Sequence, residues 1–135
     1  MRFAMFMIPN VSDESWGPTP EMAELVAAMS RYNQELERAG VLLALDGLHP
    51  PAEAARVSFS GGATSVTDGP FAEAKEVVGG YWIIQVGSRA EAVEWARRCP
   101  AADGDVIEVR QIQEMEDFSP EIQRAVADVG RQPGA

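Results

Sequence analysis

This chain has little of what most reactive sites are built from. It carries one cysteine, Cys99, and one histidine, His49, in 135 residues. A single thiol excludes an intrachain disulfide and any multi-cysteine metal site, and its ordinary role is that of a small buried hydrophobe on a helix. One histidine with scattered carboxylates suits at most a weak Mg²⁺ or Ca²⁺ site, so no cofactor is expected. Cations are scarce as well. Eleven Lys and Arg stand against 21 Asp and Glu, for a formal charge of −10 and a pI near 4.5. That surplus argues against binding nucleic acid by phosphate neutralisation and against docking on anionic lipid. Long apolar runs are also missing. The opening run Met1 to Ile8 is too short to span a membrane, has no cleavage site behind it and stops at Pro9-Asn10, so a soluble cytoplasmic protein is expected. Gly61-Gly62 and Gly79-Gly80 lack the strand-to-helix setting of a phosphate loop, and no serine sits in a nucleophile elbow.

What is present is an ordinary globular composition, 46% hydrophobic and 24% charged, at a length that fits one domain with a single core. Phe3 to Ile8 is a continuous apolar run, as expected of a strand covered on both faces. Trp16, in the loop behind it, should cover a core edge or a pocket mouth. Thr19-Pro20-Glu21 opens a helix, Met22, Leu25, Val26, Met29, Tyr32 or Asn33, and Leu36 follow helical spacing, with Tyr32 and Asn33 as its candidate polar groups, and Gly40 ends it. Val41 to Leu45 is the next strand. Arg56 to Ser60 and Ala63 to Thr67 make a hairpin about Gly61-Gly62, with Val57 and Phe59 alternating against a polar face. Tyr81 to Val86 is a further buried strand. Ser88 and Glu91 form a capping box for a second helix, which Pro100 stops. Val106 to Ile112 is the last strand, with Ile107 and Val109 on one side and Glu108 and Arg110 on the other. Ser119-Pro120-Glu121 begins a short appended helix, with Ile122 and Val126 expected to face inward.

The order is β-α-β-β-α-β with an inserted hairpin, an α+β ferredoxin-like arrangement. Two helices cover only one face of such a sheet, yet strands 3–8 and 81–86 are apolar on both sides. A homodimer burying the helix-free face is therefore expected. Two dense polar turns then frame a cleft beside the sheet, residues 46–51 and 68–76. Within the second, Asp-Gly-Pro is turn chemistry, for which Gly69 is expected to supply an unusual φ.

Asp68-Gly69-Pro70-Phe71, followed by Glu73, Lys75-Glu76 and Gly80-Tyr81-Trp82, resembles the signature of DGPF-domain proteins, a branch of the YCII-related family. The resemblance runs over residues 1–115 and leaves 116–135 as a C-terminal short helix and tail. It implies a ferredoxin-like domain that dimerises through its sheet, of the dimeric α/β-barrel type, and no particular reaction. The wider family is proposed to use a histidine on the first helix with an aspartate. The helix from Pro20 to Ala39 contains no histidine, so that site does not carry over. Relatives often occur beside, or joined to, extracytoplasmic-function sigma factors, which implies a regulatory protein partner by association only.

Three constellations can carry chemistry. His49 with Asp46 is a candidate acid/base pair, because a carboxylate orients an imidazole and stabilises its charged form; the alternative is a structural turn before Pro50. Glu108 with Arg110 reads equally as a surface ion pair, an interface pair or an arginine for a carboxylate ligand. Glu73, Lys75 and Glu76 read as a solvated run at the cleft. Phe71, apolar after a rigid turn, should pack inward and anchor its loop, leaving Asp68 to turn toward loop amides or Arg110. Asp68, Phe71, Glu76, Trp82, Arg110 and Tyr32 are the candidate ligand-binding residues, with core packing the other reading for Tyr32. The favoured function is a small-molecule-binding or regulatory module. The alternative is a small acid/base enzyme with His49 and Asp46 in the sheet–loop cleft.

Overall fold

The computed structural model describes residues 1–11, 15–71 and 76–131. Six strands and three helices follow in chain order: β1 (Arg2–Ile8), α1 (Ala23–Arg38), β2 (Leu42–Gly47), β3 (Ala55–Ser60), β4 (Ala63–Asp68), β5 (Gly80–Gln85), α2 (Arg89–Arg97), β6 (Val106–Gln111) and α3 (Pro120–Arg131). Four strands make an antiparallel sheet in the order β2-β5-β1-β6, and β3 and β4 form a separate two-stranded ribbon. The architecture is α+β and compatible with a ferredoxin-like fold.

Register decides which side chains meet the helices. Met5 lies opposite Trp82 and Val109, and Phe3 opposite Ile84. These residues close over Tyr32 and Leu36 of α1 and Ala92 of α2 in one buried cluster. The two polar handles inside it are satisfied. Tyr32 donates to the Trp95 carbonyl at 2.7 Å, Trp82 Nε1 donates to Asn33 Oδ1 at 2.8 Å, and the two rings meet edge to face at 5.9 Å. Burial holds the Tyr32 phenol neutral far above its usual range.

Local signals end the elements where expected. Gly40, at φ 73°, follows α1, and Gly61 and Gly62, at 57° and 80°, make the ribbon turn. Ser88 Oγ accepts from Glu91 N at 3.1 Å, while the Glu91 carboxylate reaches one residue further back, to Gly87 N at 2.6 Å. Pro20 starts a 3₁₀ turn that precedes α1.

The opposite sheet face carries Ala4, Phe6, Ile8, Tyr81 and Ile83. Ala4 is buried and the other four are half-buried, on the face away from α1 and α2. Glu108 and Arg110 project on the same side at the β6 edge, 4.0 Å apart. Two apolar surfaces differ from expectation. The Val57 and Phe59 face of the ribbon is open, with Phe59 79% exposed. Ile122 and Val126 of α3 are not inward either; both are 49% exposed. Each element is amphipathic and, among the described residues, carries its apolar side in the open.

Candidate ligand cleft

The cleft forms where the β2–β5 end of the sheet meets the base of the ribbon, and backbone pairing fixes both walls. Leu48 N donates to Gly79 O at 2.9 Å, which carries the β2–β5 pairing into the loop. Gly69 N donates to Ala54 O at 2.8 Å, which ties the end of β4 to the start of β3. Between them Pro51–Glu53 folds as a 3₁₀ turn closed by Glu53 N to Pro50 O and Ala54 N to Pro51 O, both 3.0 Å. Gly69 has no left-handed φ, contrary to expectation. Its constraint is room, since a Cβ would run into the Pro51 carbonyl oxygen. The Gly69-Pro70 peptide bond is cis.

This frame encloses about 480 Å³, lined by Leu48, Pro50, Pro51, Val77, Val78 and the Phe71 ring, with His49, Glu53, Arg56 and Glu76 at its polar edge. The volume lies in the range of small-molecule sites. His49 precedes the turn and Glu53 ends it, and the two side chains meet, with His49 Nδ1 2.9 Å from Glu53 Oε2. The pair is wet: the His49 side chain is 89% exposed. The Arg56 guanidinium stacks over the Phe71 ring, 3.8 Å from its centroid. Its planar fork enters no ion pair among the described residues, and a guanidinium of that shape suits a planar anion.

Of the residues singled out from sequence, His49, Phe71 and Glu76 come together here, and Phe71 is half-buried instead of fully packed. Asp46 goes elsewhere. It lies opposite Tyr81 on the helix-free face and accepts the Tyr81 hydroxyl at 2.7 Å, a bond that raises the Tyr81 pKa. Tyr32 and Trp82 are in the buried core. Asp68 ends β4, exposed, while Arg110 sits on β6 at the far edge of the main sheet. Glu73 and Lys75 lie outside the described residues. Glu53 and Arg56 were missed, although the four-residue spacing from His49 across Pro50-Pro51 was a usable signal for Glu53. Trp16 is half-buried, donates to the Leu48 carbonyl at 3.0 Å and lines a neighbouring cavity of about 360 Å³ with Met7, Met22 and Leu25. No group of three or more metal-ligating side chains occurs among the described residues. No helix there is long and apolar enough to cross a membrane.

Comparison with known proteins places this arrangement. A family model, the YCII-related domain, matches residues 1–116. The chain belongs to the YCII-related family. An uncharacterized protein of Rhizobium meliloti (strain 1021) is 33% identical over 97 residues, which is 72% of this chain and 78% of that protein. The YCII-related match ends in the turn before α3. Within the YCII-related region, Asn33 and Tyr32 of α1 are committed to Trp82 and Trp95. At those positions the Tyr32 hydroxyl and the Asn33 Oδ1 are thus engaged in packing the core.

Proposed function

We propose that this protein is a dimeric module that binds a small organic molecule with an apolar body and an acidic group. The observation that carries the reading is the Arg56 guanidinium, held over Phe71 at the mouth of an apolar cleft and engaged by no carboxylate among the described residues. A carboxylate on the ligand would meet that fork bidentately while its body lies against Leu48, Val77 and Val78. Calorimetric titration with a panel of small aromatic and branched aliphatic carboxylates tests it. Arg56→Ala should weaken any binding member at least tenfold with the fold kept; unchanged affinity would remove Arg56 from the site.

The dimer reading rests on Ala4, Phe6, Ile8, Tyr81 and Ile83, a largely apolar sheet face turned away from α1 and α2. A homodimer through that face is tested by the mass in solution at micromolar concentration. A regulatory role would follow if ligand occupancy altered the affinity of a protein partner. The enzymatic alternative is favoured by one specific contact, His49 with Glu53 at 2.9 Å, since a carboxylate-oriented imidazole is an acid/base unit. Glu53, and not Asp46, would then be its orienting residue. Turnover of a bound compound that is abolished by His49→Gln would select this reading; binding without turnover would select the module.

A further inference from the structure

Two apolar surfaces lie open among the described residues. On α3, Ile122, Val126 and Val129 recur at helical spacing and are all exposed. On the ribbon, Val57 and Val66 are a cross-strand pair and Phe59 lies two residues along from Val57 on the same face, all exposed. Among the described residues both surfaces lie open, with Val129 58% and Val66 66% exposed.

We propose that each α3 crosses to a second copy of the chain and lays Ile122, Val126 and Val129 on the partner's ribbon face. The inference rests on the dimer reading above and adds what completes it. Four strands about 4.8 Å apart and six residues long at about 3.4 Å each give a sheet face on the order of 400 Å². A standard interface buries about 800 Å² per partner. The ribbon and α3 surfaces, open among the described residues, add apolar area to that face.

Topology says how they meet. The ribbon leaves the sheet at the carboxyl end of β2, one edge, and α3 follows the carboxyl end of β6, the other edge. Three successive antiparallel pairings make β2 and β6 run oppositely. The two elements therefore occupy diagonal corners. A two-fold axis parallel or perpendicular to the strands brings neither over the other. An axis along the other diagonal of the sheet, through the two corners that carry neither element, crosses the two sheets at roughly 90°, one of the two preferred sheet packings, and sets the partner's ribbon over α3. Symmetry then makes the contact twice.

The test uses the full chain. In a Cys99→Ala background, Val126→Cys protein is mixed with Phe59→Cys protein and oxidised. Alongside, the masses of the parent and of Val126→Arg are measured by light scattering. We expect a parent of twice 14.6 kDa, a disulfide joining the two different variants, and at least a tenfold weaker dimer for Val126→Arg with unchanged circular dichroism. Val126 is already solvent-exposed in the single chain, so that variant has no reason to misfold. A parent dimer that forms no mixed disulfide and is indifferent to Val126→Arg overturns the arm exchange and leaves the sheet dimer standing. A bond within one chain carrying both cysteines has the same meaning. A monomeric parent overturns both readings.

Discussion

Phe71→Ala measures how the cleft wall is held. Truncating a fully buried phenylalanine costs about 3–5 kcal/mol. Phe71 is only half-buried, so its burial contributes about half of that lower figure, roughly 1.5 kcal/mol. The guanidinium of Arg56 at 3.8 Å from the ring centroid adds about 0.5–1 kcal/mol for a solvent-exposed cation–π contact. The expected loss is therefore about 2 kcal/mol, which lowers Tm by roughly 6 °C for a chain of this size. Urea and thermal unfolding followed by circular dichroism, run as a cycle with Arg56→Ala and the double variant, separates the two parts. The coupling should be about 0.5–1 kcal/mol. A coupling of zero would dissolve the Arg56–Phe71 unit on which the ligand reading depends. A loss above about 4 kcal/mol would make Phe71 a core anchor, and the cleft wall would not be the half-open surface described above.

Three further outcomes follow from the packing and charge of the fold. Tyr32→Phe should cost only about 1 kcal/mol in urea unfolding, because the Trp95 carbonyl it abandons still accepts from Arg98 N at 3.2 Å; a loss above about 3 kcal/mol would show that the hydroxyl does more than this bond. Burial pushes the Cys99 thiol up to about 11 from 9.0, so the native protein should label with a thiol reagent at pH 8 roughly 100-fold more slowly than the urea-unfolded chain, and equal rates would refute that burial. Arg2 Nε at 2.6 Å holds the Glu114 carboxyl below its ordinary 4.5. A depressed folded value gives stability that is present above the unfolded pKa and lost as pH falls through the folded one. Glu114→Gln should therefore lose less stability than the parent between pH 5 and pH 3, both read from urea midpoints, and parallel curves would contradict the ion pair.

Much of the fold was legible because local chemistry and packing agree. The Phe3–Ile8 run, the Gly40 stop, the Gly61-Gly62 turn and the Ser88 cap each state their own structure, and Ile107 and Val109 point to the core as their alternation requires. The site was legible only in part. Asp46 stands three residues from His49 in sequence, but antiparallel register sets it against Tyr81, and register is a property of two strands. Glu53 and His49 flank Pro50-Pro51 and meet where the chain bends there, a local event that residue spacing hinted at without fixing. The pattern of α3 tells which of its faces is apolar. It carries no information on what covers that face, so Ile122 and Val126 were assigned to the chain's own core and are found in solvent.

The proposed ligand site is the cleft lined by residues 48–51, 53, 54, 56, 71 and 76–78. The most direct measurement is an amide chemical-shift map of the ¹⁵N-labelled full chain, titrated with the carboxylate panel and repeated with Arg56→Ala. Binding compounds should move the amides of Leu48, His49, Glu53, Arg56, Phe71 and Val77 together, and the Arg56 variant should lose those shifts while its remaining spectrum overlays the parent. Shifts confined to the Trp16 cavity or the helix-free sheet face, or an Arg56 variant that binds as the parent does, would contradict the account.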